Sequence, residues 1–186
     1  MNFVQPIRDP DLIQQLELFF KEKNVRDYIL FLLGIYTALR ISDILSLKVK
    51  DLKGKNYLRI REKKTRRKKY NERTIELHPV LKRELKKYLK DKPDHEYVIK
   101  SRTGNNRPIS RERAYMILKE AAEAFNIDSL GCHSMRKTMG YHLYKKTQDL
   151  VLVQQALNHE DSSYTLRYIG MEQDTVNQAI TKLRYY

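Results

Sequence analysis

The sequence predicts a mainly α-helical fold that carries one small antiparallel β-sheet, an α+β architecture. Apolar residues recur at helical spacing through most of the 186 residues. Two segments, 57–61 and 73–77, instead alternate between apolar and polar residues, as half-buried strands do. The hydrophobic fraction of 41% is that of a globular protein with a full core.

Two helices are predicted near the start of the chain. Asp9 and Pro10 form a helix start, because aspartate is a favoured N-cap and proline is tolerated at the first helical position. Apolar residues then follow at helical spacing, at Leu12, Leu16 and Phe19. A second helix is expected from about Val25 to Ala38, and it should be buried because residues 28–33 are apolar on all sides.

Arg40 falls at the junction that follows this buried helix. Ser42 is a suitable N-cap for a third, short helix. A residue at the end of a buried helix is held in a fixed position, which suits a charged group that acts in a site. An arginine at such a place is also commonly a surface residue, here paired with Asp43, and Arg40 alone does not decide between these interpretations.

The two strand segments predict a β-hairpin with a strongly basic tip. Leu58 and Ile60 share one face of the first strand, and Ile75 and Leu77 share one face of the second. A run of like charge is usually a solvated surface. On a chain of net charge +14, contact with phosphates is equally supported. The tip contains Lys63, Lys64, Arg66, Arg67, Lys68 and Lys69.

The middle of the chain predicts two more amphipathic helices. The first is expected over Pro79–Lys90, and the second begins after Ser110, a suitable N-cap. Between them, Tyr97–Ile99 is predicted as a short strand. The outer face of the second helix carries Arg111 and Arg113.

The last third of the chain contains a sparse set of polar residues between helical segments. His133 and Arg136 are three residues apart and therefore share a face of a helix. The later predicted helices are Asp149–Leu157, one that starts at Ser162 or Ser163 and holds Tyr168, and a terminal helix over Gln173–Leu183.

The charge predicts a polyanionic partner. A net charge of +14 and a pI near 9.7 exceed what solubility requires. Nucleic acid is the usual partner of such a chain, and a membrane surface or a ribosome also fits. A single cysteine, Cys132, excludes an intrachain disulfide and favours a reducing compartment. The N-terminus has no signal region and Tyr28–Tyr36 is too short to span a bilayer, so we expect a cytoplasmic protein.

Arg40, His133, Arg136, His159 and Tyr168 together suit the cleavage of a nucleic-acid phosphodiester without a metal. The transition state spreads negative charge over the non-bridging oxygens, and two guanidinium groups can clamp one phosphate. A tyrosine nucleophile forms a phosphotyrosyl ester, which conserves the bond energy for rejoining. Histidines can move the protons or hydrogen-bond the phosphate.

A lysine of the hairpin suits the role of general acid to the leaving 5′-oxygen, with Lys64 the first candidate and Lys63 the next. Taken singly, these residue types carry little information: HxxR pairs usually lie on surfaces, and Tyr168 is one of 13 tyrosines. Their joint presence in one order is what indicates a site. The sequence has no Gly-rich phosphate loop, no HExxH and no cluster of carboxylates suited to two metals.

In this order and spacing, the residues resemble the tyrosine recombinase, or phage integrase, family. TALRISDIL is similar to the first arginine box of the family and KKT to its hairpin lysine. HSMRKTMGYHL resembles the HxxR box, and ALNHEDSSYTLRY resembles the last box, whose tyrosine lies nine residues beyond a histidine. The resemblance implies a catalytic set of Arg40, Lys64, His133, Arg136, His159 and the nucleophile Tyr168, with Asp43 in support.

The resemblance also implies a fold and a reaction. The fold would be that of a tyrosine recombinase catalytic domain. The reaction would be site-specific DNA recombination through a 3′-phosphotyrosyl intermediate, with no metal and no cofactor. The partner would be double-stranded DNA, bound by a homotetramer in the synapse and by a protein that is monomeric in free solution. DNA contacts are expected from Lys63, Arg66, Arg67, Lys68, Lys69, Arg111 and Arg113.

The chain departs from the family pattern in three ways. Ala38 and Asn158 stand where the family has glycine, and the loss of glycine can shift the local backbone. The hairpin is more basic and longer than usual. About 39 residues precede Arg40, which leaves no room for the separate N-terminal domain of the family. The chain is therefore similar to minimal integrases and fimbrial inversion recombinases, or is a fragment of a longer recombinase.

We therefore expect one catalytic domain over residues 1–186. Its parts would be N-terminal helices over 1–50, the basic hairpin over 55–78, a helical active-site region over 79–170 and a C-terminal helix over 171–186. That last helix would pack either on its own domain or on a neighbouring protomer.

Two other functions remain open from the sequence. A non-catalytic DNA-binding regulator on the same scaffold would bind DNA without covalent capture, and it leaves the complete polar set unexplained. An RNA-binding or ribosome-associated helical protein explains the charge alone, and the sequence lacks the aromatic strand pattern of RNA-recognition sheets.

Overall fold

In a computed structural model, the structure describes residues 4–62, 72–128, 130–159, 163–171 and 180–184. Across these residues the chain forms nine α-helices and one antiparallel pair of strands, which confirms the predicted α+β class. In chain order the elements are α1 (Pro10–Lys23), α2 (Val25–Thr37), α3 (Ile41–Ile44), α4 (Val49–Leu52), β1 (Tyr57–Arg61), β2 (Glu72–Glu76), α5 (Pro79–Tyr88), α6 (Arg111–Ala124), α7 (Cys132–Thr147), α8 (Leu150–Leu157) and α9 (Ser163–Tyr168).

The first two helices begin where their local sequence predicts. The Asp9 side chain accepts a hydrogen bond from the backbone N–H of Asp11, and Pro10 takes the first helical position. Asn24 ends α1 and caps α2, because its side-chain oxygen accepts from the backbone N–H of Arg26. Both predicted helices are confirmed.

Helix α2 is the centre of the core. Its residues 28–33 are at most 4% exposed, since α1, α5 and α7 pack around it. A second, smaller apolar cluster lies among α7, α8, α9 and the residue that ends α2. We call it the rear cluster, and its buried members are Ala38, Tyr141, Val153, Leu157, Ile169 and Met171.

The hairpin strands pair in the predicted arrangement. Leu58 of β1 lies opposite Ile75 of β2, and Leu58 is fully buried. Leu77, just after β2, is also buried. The predicted tip falls within residues 63–71, which lie outside the described part of the chain.

The prediction that Ser42 caps α3 is wrong. Arg40 occupies the N-cap position with an extended backbone, at φ −69° and ψ 148°. Its carbonyl oxygen accepts from the N–H groups of Asp43 and Ile44, so the helix begins two residues before Ser42 would allow.

The prediction of a strand at Tyr97–Ile99 is also wrong. Tyr97 makes an isolated bridge with Lys48, and Lys100 makes another with Pro108. Each of these is a single backbone pairing, which is too short to form a strand.

The remaining helices follow the predictions closely. Helix α5 begins at the predicted Pro79 and ends at Tyr88, two residues early. The Ser110 hydroxyl caps α6, and the Asp149 carboxylate caps α8. The predicted terminal helix over 173–183 falls mostly outside the described residues.

Two glycines allow α7 to approach its neighbours closely. A Cβ atom at Gly34 would lie 2.8 Å from the Cβ of Met135, so Gly34 brings α2 against α7. A Cβ atom at Gly140 would lie 2.7 Å from Cγ2 of Ile169 and 3.1 Å from Cδ1 of Leu157. Gly140 therefore sets the distance from α7 to α8 and to the residue after Tyr168.

Gly140→Ala is expected to destabilise the protein although alanine is the better helix former. The gain in helix propensity is about 1 kcal/mol, whereas overpacking a filled core costs about 1–3 kcal/mol. The melting temperature should fall. Gly131→Ser is the control, because a Cβ there meets Val4 at an ordinary 3.5 Å and serine is a favoured N-cap. Equal melting temperatures for both variants would contradict this packing.

Within the described part of the chain, no helix combines the length and the apolar character needed to cross a membrane.

Candidate active site

The structure brings Arg40, His133, Arg136, His159 and Tyr168 together beside the rear cluster. Four of them lie at the ends of elements. Arg40 caps α3, His133 lies in the first turn of α7, His159 follows the residue that ends α8, and Tyr168 is the last residue of α9. Short connections thus fix side chains that are far apart in sequence around one point.

Arg136 is a buried cation held by two helix ends. It is 2% exposed, and its two terminal nitrogens donate to the carbonyl oxygens of Ala38 and Leu157. The last carbonyls of a helix lack partners within the helix and carry the negative end of its dipole. The ends of α2 and α8 therefore compensate the buried charge. Burial lowers the pKa of the Arg136 guanidinium, which still stays cationic at neutral pH.

Ala38 and Asn158, the two residues that replace glycine, both adopt the left-handed backbone conformation, with φ of 53° and 48°. Glycine favours this conformation at the end of a helix. The backbone is thus of the kind that glycine would adopt. Asparagine tolerates it, whereas alanine loses about 1–2 kcal/mol. The bond from Arg136 to the Ala38 carbonyl helps to hold that residue in place.

Two histidines flank the phenol of Tyr168. Its hydroxyl lies 3.4 Å from Nδ1 of His133, within hydrogen-bond reach. Its ring packs edge-on against the His159 ring, with centroids 4.7 Å apart and an interplanar angle of 88°. Nδ1 of His159 in turn lies 3.4 Å from the hydroxyl of Thr165. A proton acceptor is therefore within reach of the Tyr168 oxygen.

Burial raises the pKa of the Tyr168 phenol, and the guanidinium groups of Arg136 and Arg40 oppose that shift. The phenol is therefore protonated at neutral pH in the free protein. Loss of its proton must then accompany attack, which requires a base in contact. The two cations favour the charged form as it develops.

Arg40 is bound to a carboxylate that the sequence did not single out. It donates to Glu62, which is fully buried at the end of β1. The Arg40 side chain is only 18% exposed, so the interpretation of a surface arginine is wrong. Asp43 is itself 1% exposed and lies in the turn that Arg40 begins.

The remaining predicted residues belong to the predicted hairpin tip and to helix α6. Lys64 lies outside the described residues, as do Lys63, Arg66, Arg67, Lys68 and Lys69. Arg111 and Arg113 are exposed at the start of α6, and Arg113 pairs with Glu120 at 3.3 Å. Among the described contacts, neither arginine touches the five clustered residues. No three His, Cys, Asp or Glu side chains of the described residues are grouped to hold a metal.

Comparisons with known proteins identify the family of the chain. The model of the "Phage integrase family" matches residues 9–174. The chain belongs to the phage integrase family. It is 46% identical over 179 residues to "Probable integrase/recombinase YoeC" of Bacillus subtilis, which covers 96% of each chain. The predicted family is thereby confirmed.

More distant relatives in the family are longer. The chain is 26% identical over 179 residues to "Tyrosine recombinase XerA" of Pyrococcus furiosus, which covers 95% of this chain and 60% of that one. A crystal structure of XerH site-specific recombinase bound to palindromic difH substrate, a post-cleavage complex, has a TM-score of 0.74 and 18% identity. That match covers 97% of this chain and 54% of the other, and it confirms the predicted fold. The chain thus spans about half to three fifths of these relatives.

Sequence reasoning missed three residues of this phage-integrase site: Glu62, Arg73 and Lys137. Glu62 and Arg73 stand beside a basic run, where isolated charges are ordinarily solvated. Lys137 follows Arg136, and its ammonium lies 5.2 Å from the centre of the Tyr168 ring. The position of Lys137 directly after an HxxR pair was the only available signal.

Cys132, next to His133, is expected to react slowly in the folded protein. Burial raises the pKa of its thiol to about 11 from an ordinary value of 9.0. At pH 8 the thiolate fraction should then be on the order of 100-fold lower than in the unfolded chain, and the thiolate is the reactive species. Alkylation with iodoacetamide, followed with and without denaturant, measures this. A native rate within threefold of the denatured rate would contradict the burial of Cys132.

Proposed function

We propose that this chain is a site-specific DNA recombinase that cleaves and rejoins strands through a 3′-phosphotyrosyl intermediate, without a metal. The observation that carries the proposal is the position of the Tyr168 hydroxyl, which lies beside His133 and close to the guanidinium groups of Arg136 and Arg40. The named relatives, an integrase/recombinase and tyrosine recombinases, support the same activity.

In the proposed cleavage step, Tyr168 is the nucleophile. Its oxygen forms a bond to phosphorus as the bond from phosphorus to the 5′-oxygen breaks. The phenol proton passes to Nδ1 of His133, which lies 3.4 Å away. The leaving 5′-oxygen takes a proton from Lys64, the residue that we propose as general acid, with Lys63 as the alternative.

Arg40 and Arg136 would clamp the phosphate in this step. Their positive charges oppose the negative charge that develops on the non-bridging oxygens. His159, whose ring contacts Tyr168, would hydrogen-bond the phosphate and hold the phenol in line. Asp43 would support the turn that carries Arg40. In rejoining, a 5′-hydroxyl attacks the phosphotyrosyl phosphorus and Tyr168 recovers its proton.

The proposed partner is double-stranded DNA. XerH is described in a complex bound to its difH substrate, which supports the same class of partner here. Arg113 lines a cleft together with Arg26, Arg102 and Arg107, and Arg111 is exposed next to Ser110, which also lines it. Several guanidinium groups on one surface suit the binding of phosphates. The hairpin cations Lys63, Arg66, Arg67, Lys68 and Lys69 are proposed to add further phosphate contacts.

The same proposal covers assembly and location. We propose one catalytic domain over residues 1–186 that is monomeric when free, forms a homotetramer in the DNA synapse and acts in the cytoplasm. The alternative of a non-catalytic DNA-binding regulator is not favoured, because five of the polar residues, all within the described part of the chain, lie close together and the named relatives are recombinases.

Covalent capture on DNA tests the proposed function. The substrate is a nicked duplex whose short downstream strand is lost after cleavage, and its sequence is taken from the flanks of the encoding gene. We expect a denaturant-resistant protein–DNA band that forms in the presence of EDTA and disappears on proteolysis. DNA binding without any such band on the correct site would contradict the proposal.

A further inference from the structure

Glu62 is a fully buried carboxylate surrounded by cations of the site. Its side chain is 0% exposed, and it accepts hydrogen bonds from Arg40 and from Arg73, the latter at 2.5 Å. The side-chain nitrogen of Asn158 donates to the same carboxylate at 3.2 Å. A buried carboxylate loses its hydration, so such a position is stable only with compensating partners of this kind.

These contacts join three parts of the site that are distant in sequence. Arg40 lies between α2 and α3, Arg73 lies in β2, and Asn158 ends α8 directly before His159. Arg73 also donates to the carbonyl oxygen of Ala156 at 2.9 Å, which ties the hairpin to α8 a second time. Along the chain, Glu62 is two residues before Lys64. The Glu62 carboxylate thus links Arg40, the hairpin strand that carries Arg73, and the residue directly before His159.

We propose that Glu62 is a positioning residue for strand cleavage, an inference that rests on the proposed function. Glu62 does not touch the reacting phosphate. It holds one edge of the Arg40 guanidinium. This contact would direct the remaining N–H groups of Arg40 toward a phosphate bound beside Tyr168. It also holds the turn before His159 through Asn158.

The charge of Glu62 should affect DNA binding and cleavage differently, which a purely structural residue would not do. Glu62 offsets part of the positive charge of Arg40 and Arg73. Removing its charge leaves those cations uncompensated, which should favour the binding of phosphate while the orientation of Arg40 is lost. The cleavage rate is therefore expected to fall without any loss of DNA affinity.

The central variant is Glu62→Gln, which keeps the size of the side chain and removes its charge. At saturating DNA, the single-turnover rate of covalent capture should fall about 10- to 100-fold, the range found when residues that orient metal ligands are lost. The dissociation constant for the same DNA should stay equal to that of the wild type or become smaller. Rates are measured below the melting temperature of every variant.

Two further variants accompany it. Glu84→Gln is the matched control, because Glu84 is also buried, at 6% exposure, and pairs with Arg83 and Lys87 on α5. It changes the net charge equally and should cleave at the rate of the wild type. Glu62→Asp retains the buried charge and so protects the fold, but its shorter side chain cannot hold all three partners, and it should cleave at least about tenfold more slowly.

The outcomes separate the two proposals. Wild type that binds the correct site without covalent capture would overturn the proposed function, and this inference with it. Wild type that is captured while Glu62→Gln and Glu62→Asp cleave within threefold of it would overturn the role of Glu62 alone. Slower cleavage that is accounted for entirely by weaker DNA binding would also overturn it. If Glu62→Gln does not fold, the rate of Glu62→Asp decides.

Discussion

Tyr168→Phe is expected to abolish covalent capture of DNA while leaving DNA binding intact. The substitution removes only the oxygen that lies 3.4 Å from His133 Nδ1, and it keeps the ring that packs on His159. Loss of the nucleophile from an enzyme that forms a covalent intermediate lowers the rate by at least about 10⁴-fold. Capture should fall to background at every enzyme concentration, while the dissociation constant changes little.

The control for this variant is Tyr144→Phe. Tyr144 is another partly buried tyrosine that packs against the rear cluster, so both variants remove a hydroxyl from the same small core. Only Tyr168→Phe should lose capture. A Tyr168→Phe protein that still forms covalent complex at more than a few per cent of the wild-type rate would exclude Tyr168 as the nucleophile.

Arg136→Lys is expected to have the second-largest effect, on both rate and stability. Lysine keeps a positive charge but lacks the planar fork that reaches the carbonyls of Ala38 and Leu157 together. The loss of one preorganised donor to a developing anion costs about 10²–10³-fold in rate. A buried carbonyl left without its donor also costs about 1–3 kcal/mol in the free energy of unfolding.

Arg26→Lys is the matched control for Arg136→Lys. Arg26 also bonds a carboxylate and a backbone carbonyl, of Asp27 and Lys100, at a part-buried position outside the five-residue cluster. Arg26 lines the proposed DNA cleft, and lysine keeps the positive charge there. At saturating DNA, Arg26→Lys should therefore be captured at nearly the wild-type rate. Equal rates of capture for Arg136→Lys and Arg26→Lys would contradict the proposal that the Arg136 guanidinium binds the reacting phosphate.

The sequence predicted the elements whose causes are local. Helix α1 follows from an aspartate cap, a proline and apolar spacing, all within about ten residues. Helix α2 follows from a run that is apolar on every side. The site residues were predicted as a set through their order along the chain, and the structure brings five of them together.

The features that the sequence did not predict depend on distant partners. Glu62 is buried because Arg40, 22 residues away, and Arg73, 11 residues away, converge on it. Nothing in the local basic run distinguishes it from a solvated glutamate. Arg136 is held by the backbone carbonyls of Ala38 and Leu157. Every residue has a backbone carbonyl, so the residue types in the sequence do not identify these two partners. Arg40 takes the N-cap position of α3 without a side-chain capping bond, so no capping residue type marks that start in the sequence.

The most direct test of the central claim is to identify the residue and the DNA end joined in the captured complex. The complex is digested with trypsin and a nuclease, and the modified peptide is sequenced by mass spectrometry. In parallel, the substrate strand is labelled at either end. We expect a nucleotide 3′-phosphate esterified to the oxygen of Tyr168. Attachment at another residue, or through a 5′-phosphate, would contradict it.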